Sequence, residues 1–174
     1  YARALSSLSG GLLDKSGNMN EKVNHDRFDS KGNILQLTKE DHKSTTILWG
    51  YNNSLPIAMI EGAKYSDINT WFHTDYGKIL DYLSTISNND TNSTCENSLR
   101  SWLNNLRITI DKNSNGNIQM TSFTYDPLIG VTSITDPRGQ TVYYEYDDFN
   151  RLKAVKDDLG KLLSTNTYHY KSQN

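Results

Sequence analysis

Cysteine is almost absent from this chain. Cys95 stands alone among 174 residues, which excludes an internal disulfide framework and any cysteine-rich zinc site. Charge of one sign is lacking too: 18 basic residues face 20 acidic ones, for a net charge of −2. With no Lys/Arg run, there is no basic footprint for a nucleic-acid backbone. No apolar stretch approaches the roughly 20 residues that a membrane-spanning helix needs. The chain opens at Tyr1 without a basic segment followed by an apolar one, so it does not read as an intact secretory precursor. It reads as a piece of something longer.

What is plentiful is neutral polarity. The apolar share is only 35%, whereas there are 19 Asn, 18 Ser and 16 Thr, and 11 Tyr against 4 Phe. Thr and Tyr fit a pleated surface and Asn and Ser suit turns, so strands and turns are expected over long helices.

The C-terminal part repeats itself. Phe123-Thr124-Tyr125-Asp126, Tyr144-Glu145-Tyr146-Asp147 and Tyr168-His169-Tyr170-Lys171 share an aromatic-x-aromatic core. Gly139 follows Tyr125 and Gly160 follows Tyr146, both in an Asp-x-x-Gly setting. The same unit begins at Phe28-Asp29-Ser30-Lys31-Gly32-Asn33 and runs on to Trp49-Gly50-Tyr51-Asn52. Alternation puts Val142, Tyr144 and Tyr146 on one strand face. Asp147 is placed to accept backbone N–H groups, while Gly32 and Asn150 occupy a position that tolerates positive φ. Each repeat therefore predicts two short antiparallel strands and two turns, with successive aromatic pairs packing side by side across strands.

Tyr146-Asp147-Asp148-Phe149-Asn150-Arg151-Leu152, followed by Asp-x-x-Gly, resembles the RHS or YD-repeat family. Asn150 replaces the usual Gly, Phe28 replaces a Tyr, and Tyr125 to Gly130 carries one extra residue, consistent with a bulge. The likeness covers about residues 25–65 and 119–170. It implies a large secreted or surface-exposed bacterial protein whose hairpins wind into a spiral β-sheet shell. The family's self-cleaving C-terminal segment is not recognisable: Asp136-Pro137-Arg138-Gly139 reads as a repeat turn. Only four residues follow the last repeat, so no toxin is expected there.

Residues 66–118 break the pattern. Ile79, Tyr82, Leu83 and Ile86 share one helical face, as do Leu99, Trp102, Leu103 and Leu106. Ser93 or Thr94 is placed to cap the second helix, after a polar loop containing Cys95. Arg107–Ile110 and Ile118–Phe123 read as strands around a turn. That turn resembles a calcium loop through Asp111, Asn113, Asn115 and Gly116, but Ser122 stands where a bidentate Glu belongs. The expected organisation is an N-terminal segment (1–24), a first repeat unit (25–65), a helical insert (66–106), and a hairpin with C-terminal repeats (107–174).

The histidines (His25, His42, His73, His169) lack metal-ligand spacing, and no nucleophile, phosphate-loop or zinc motif is present. The acids sit mainly in turns. The expected function is structural and non-enzymatic, without cofactor, at the bacterial cell surface or outside the cell. Its partner is the upstream part of the same protein or a second chain, completing a β-shell. Glycan binding through Trp49, Trp71 and Trp102, or recognition by an outer-membrane secretion machine, are the alternative readings; nucleic acid is not among the partners. The residues that carry the repeat are Phe28, Asp29, Gly32, Tyr125, Asp126, Gly139, Tyr144, Tyr146, Asp147, Arg151, Gly160, Tyr168 and Tyr170.

Overall fold

The computed structural model describes residues 23–71, 73–74 and 77–169; the N-terminal segment 1–22, Tyr76 and Tyr170 lie outside them. The architecture is mainly antiparallel β, as the repeats predict. Nine strands form one sheet in which every neighbour is antiparallel. Four precede the helices: β1 (Val23–Phe28), β2 (Ile34–Lys39), β3 (Ser44–Gly50) and β4 (Leu55–Glu61). Helix α1 (Tyr65–Trp71) follows, then a two-residue ribbon of β5 (His73–Thr74) and β6 (Gly77–Lys78), α2 (Ile79–Asn88) and α3 (Ser93–Ser114). The chain then re-enters the sheet as β7 (Gln119–Asp126), β8 (Gly130–Thr135), β9 (Thr141–Tyr146), β10 (Leu152–Asp157) and β11 (Leu162–Thr165). Strand β7 pairs directly with β4, with Ala58 opposite Ser122 and Ile60 opposite Met120. The helical segment therefore loops out of the array, and the sheet continues across it without a break in register direction.

The core lies where helices meet the middle strands. On α3, Leu99, Leu103, Leu106 and Ile110 are all buried, a spacing of 4, 3 and 4 residues that holds one face of a helix. They pack with Leu83 of α2, Ile68 of α1, and Leu48, Ile57, Ile60 and Met120 of β3, β4 and β7. Trp71 and Trp102 are partly buried against the same cluster, and Trp102 meets Tyr82 edge to face at 4.8 Å between ring centroids. Away from this patch the sheet has little cover: every residue of β1 and of β11 is exposed.

Four expectations fail in the insert. Arg107–Ile110 is helix, not strand, and Asp111 and Asn113 belong to the same helix. The β-branched run there argues for a strand locally, but Ile110 extends the buried stripe begun at Leu99, and burial outweighs weak propensity. Asn115 and Gly116 end the helix in the left-handed region (φ 50° and 76°) rather than forming a hairpin turn. The calcium-loop resemblance fails with it. Residues two apart on a helix point to different sides, and the Asn113 amide donates to the Thr109 carbonyl at 2.8 Å. At the other end of α3, Asn92 is the cap: its side chain accepts from the Thr94 and Cys95 backbone N–H groups. Cys95 thus lies in the first turn of α3, not in a loop.

Leu103 is 1% exposed at the centre of the stripe. Leu103→Ala is expected to lower the unfolding free energy in urea by about 2–5 kcal/mol, and a loss under 1 kcal/mol would show that the helices do not form the core.

Candidate functional site

One turn recurs along the sheet. In residues 29–33, 136–140, 147–151 and 157–161 an Asp carboxylate oxygen accepts the backbone N–H groups two and four residues on, all at 2.8–3.0 Å. The Asp N–H donates to the carbonyl four residues on, and the N–H three residues on donates back to the Asp carbonyl. That geometry needs positive φ at the fourth position, which Gly32, Gly139, Asn150 and Gly160 supply. Residues 39–43 make the same backbone pair of bonds with Lys39 in place of Asp and His42 at φ 61°. Asp126 heads a variant in which it pairs directly with Gly130, with a register shift between Thr124 and Tyr125. The extra residue is thus taken up by an irregular ladder. At Asp147 the carboxylate also holds Arg151 in a two-pronged contact, 2.9 Å from Nε and 2.6 Å from Nη2. The Arg151 hydrogen bond is the main reason its carboxyl lies below the usual value.

The aromatics do not pack as expected. Phe123 and Tyr125 lie on β7, Tyr144 and Tyr146 on β9, with β8 between them. What ties neighbouring strands instead is a hydrogen bond from an aromatic side chain to a backbone carbonyl. The Tyr146 hydroxyl donates to the Val131 carbonyl at 2.8 Å, the Tyr168 hydroxyl to the Leu152 carbonyl at 2.9 Å, and the Trp49 indole N–H to the Ile34 carbonyl at 2.9 Å. In each case the acceptor is the fifth residue after a turn Asp (Asp126, Asp147, Asp29). Gly130 lies under the Tyr146 hydroxyl so closely that a Cβ there would sit 2.8 Å from it. By pattern Tyr170, outside the described residues, aligns with Tyr146; Tyr168 makes the bond to Leu152, and its ring also stacks on the Arg151 guanidinium at 4.2 Å.

Residues 130–164, from the start of β8 into β11, match the family model for the RHS Repeat. Over these residues the chain is similar to an RHS repeat. No curated protein matches it. The matched span holds the turns at Asp136, Asp147 and Asp157. The same turn at Asp29, and the same kind of tie from Trp49, recur in β1–β4, outside the matched residues.

The helical insert is anchored to this repeat array by one tight turn. Between β3 and β4, Tyr51, Asn52 and Asn53 all take left-handed conformations, at φ 51°, 57° and 55°. Such a run costs roughly 1–2 kcal/mol for an ordinary residue at each position, with Asn better tolerated. Partners on α2 and beyond hold it. The Tyr51 N–H donates to Ser87 Oγ (3.1 Å) and the Asn52 N–H to Asn88 Oδ1 (2.5 Å). The buried Tyr51 hydroxyl donates to Asp90 (2.8 Å) and accepts from the Tyr125 N–H (2.9 Å). The Asn53 carbonyl accepts from the Asn33 amide, which ties this turn to that of Asp29. Burial raises the Tyr51 phenol above its ordinary value, so it stays a donor, and burial raises the Asp90 carboxyl as well.

A second polar contact joins α3 to β7 and β8. The Glu96 carboxylate accepts from Arg100 (2.6 Å), Thr124 (2.8 Å) and Thr132, and Arg100 stacks over Tyr143 at 5.3 Å. Sequence reasoning missed both anchors, because partners 36 and 39 residues apart, such as Tyr51 with Ser87 and Asp90, carry no local signal. The acids Asp148 and Asp158 lie beside the turn acids and do not converge. Among the described residues no three His, Cys, Asp or Glu side chains gather as a metal site would require.

Tyr146→Phe removes one tie and is expected to cost about 0.5–1.5 kcal/mol in urea unfolding, while Tyr144→Phe, which loses no such bond, leaves stability unchanged; equal effects would mean that the tie is not what the hydroxyl contributes. The raised Asp90 value works in the opposite sense to a salt-bridged acid. Its protonated form is favoured in the folded state, so its contribution is fullest below its ordinary value of 3.8 and is lost as pH rises through the raised value. Asp90→Asn is therefore expected to raise Tm at pH 7, an advantage that shrinks towards pH 3; a pH-independent difference would argue against the burial account.

Proposed function

We propose that this chain is a structural, non-catalytic segment of a cell-surface RHS-type protein, and that its sheet continues into further antiparallel hairpins. The observation that carries the reading is the pair of open edges on an otherwise repeating array. Among the described residues strand β1 has one neighbour and β11 has one neighbour, all ten of their residues are exposed, and β11 presents Leu162 and Leu163 at 52% and 53% exposure. An exposed, partly apolar edge is a template for strand addition. The turn recurs at Asp29, Asp136, Asp147 and Asp157 and the tie at Trp49, Tyr146 and Tyr168, all local devices, so an added hairpin needs no new chemistry. The strand comes from the upstream part of the same protein or from a second chain, at the cell surface or outside the cell, where RHS-repeat proteins are generally found.

The polar chemistry of the chain supports a scaffold. The turn carboxylates accept backbone N–H groups, and the three tryptophans serve the fold: Trp49 in a tie, Trp71 and Trp102 against the core. Amide hydrogen exchange tests the reading. Residues 162–165 are expected to exchange quickly in the 174-residue chain alone and slowly in the protein as its own cells assemble it. Fast exchange in both settings would overturn strand addition at this edge.

A further inference from the structure

A buried guanidinium with no ion-pair partner among the described residues stands in the wall of a groove between α3 and strands β7–β9. Arg107 is 4% exposed. Its Nη2 donates to the carbonyls of Met120 and Thr135 at 3.3 Å and to Ser122 Oγ at 3.1 Å. Its Nε and Nη1 are enclosed and have no acceptor. Arg107 makes no ion pair among the described residues: Asp111 and Asp136 influence it from beyond ion-pair distance. Burying an arginine without a partner is costly, and the group stays protonated at any ordinary pH.

The groove beside it holds about 450 Å³. Arg100, two helical turns earlier on α3, lines it together with Ser122, Thr135, Thr141 and Tyr143, and neither Asp nor Glu contributes to its wall. Arg100 is matched by Glu96 at 2.6 Å; Arg107 is not. The Ser122 hydroxyl, which accepts from Arg107, and the Thr141 hydroxyl, when it accepts from Thr135, can each turn a proton into the groove. We propose that this groove binds a small oxyanion, a carboxylate or phosphate group, with Arg107 as its principal ligand and the Ser122 and Thr141 hydroxyls as further donors. Nη2 belongs to both forks of the guanidinium, one shared with Nε and one with Nη1, so an oxyanion on either fork satisfies an orphaned N–H in the bidentate manner arginine favours. The three present acceptors lie at the long end of the hydrogen-bond range, and a small rotation turns a fork to the groove. The site is separate from the strand edges, so it does not depend on sheet extension.

The test is thermal unfolding and titration calorimetry of the 174-residue chain with sodium phosphate, sodium acetate and, at matched ionic strength, sodium chloride. Phosphate or acetate is expected to raise Tm saturably, by roughly 5–10 °C at a hundredfold excess over Kd, and which of the two acts separates a phosphate site from a carboxylate site. Arg107→Met is expected to abolish the response. Ser101→Glu, an exposed position on the groove wall, is expected to weaken binding at least tenfold without touching the core, and it decides the matter if the Arg107 variant fails to fold. A Tm rise equal to that in chloride, no heat of binding, or a response retained in Ser101→Glu would overturn the site.

Discussion

In four of the turns a single carboxylate oxygen accepts two backbone N–H groups, and the strands on either side depend on it. The Asp at 29, 136, 147 and 157 closes the hairpin at its first residue, while the positive-φ residue three places on lets the chain reverse. Two N–H groups that would otherwise face water are satisfied inside the turn. Register follows from the turn, and the hydroxyl-to-carbonyl tie follows from register, because Tyr146 reaches the fifth residue after Asp126 only if both hairpins are in phase. The unit is thus closed by backbone chemistry and needs little apolar burial of its own.

That economy explains the composition. A sheet with one exposed face and solvent-facing ends is built from Thr, Ser and Tyr rather than Leu and Phe, and its buried strand positions include Thr46, Ser122, Thr124 and Ser133. The apolar residues concentrate where α1–α3 cover β3, β4 and β7. The insert supplies a core that the repeats alone lack. It is held at its edges by polar contacts: Tyr51 with Ser87 and Asp90, and Glu96 with Thr124. Truncated repeats without the helices are left with a sheet that buries little on either side.

Much of this was legible in the residues because it is local. Asp-x-x-Gly states its own turn, and the spacing of Leu99, Leu103 and Leu106 states its own helix. Where locality misleads, the errors have one cause. Arg107–Ile110 has strand-forming residues but belongs to a helix whose buried face runs on to Ile110. The Asp111–Gly116 run looks like a loop because Asn-Gly serves a helix end as well as a hairpin.

By itself the sequence determined the repeat, its turns, the antiparallel β class and the existence of a helical insertion, all set by interactions within about twenty residues. Only the tertiary structure decided that β4 and β7 join into one sheet across the insertion, that three successive residues at Tyr51 are held left-handed by a distant helix, and that Arg107 is buried without a carboxylate. Those outcomes depend on which surfaces meet after the chain closes a loop of nearly sixty residues between β4 and β7, and no local pattern encodes the partner at the far end of such a loop.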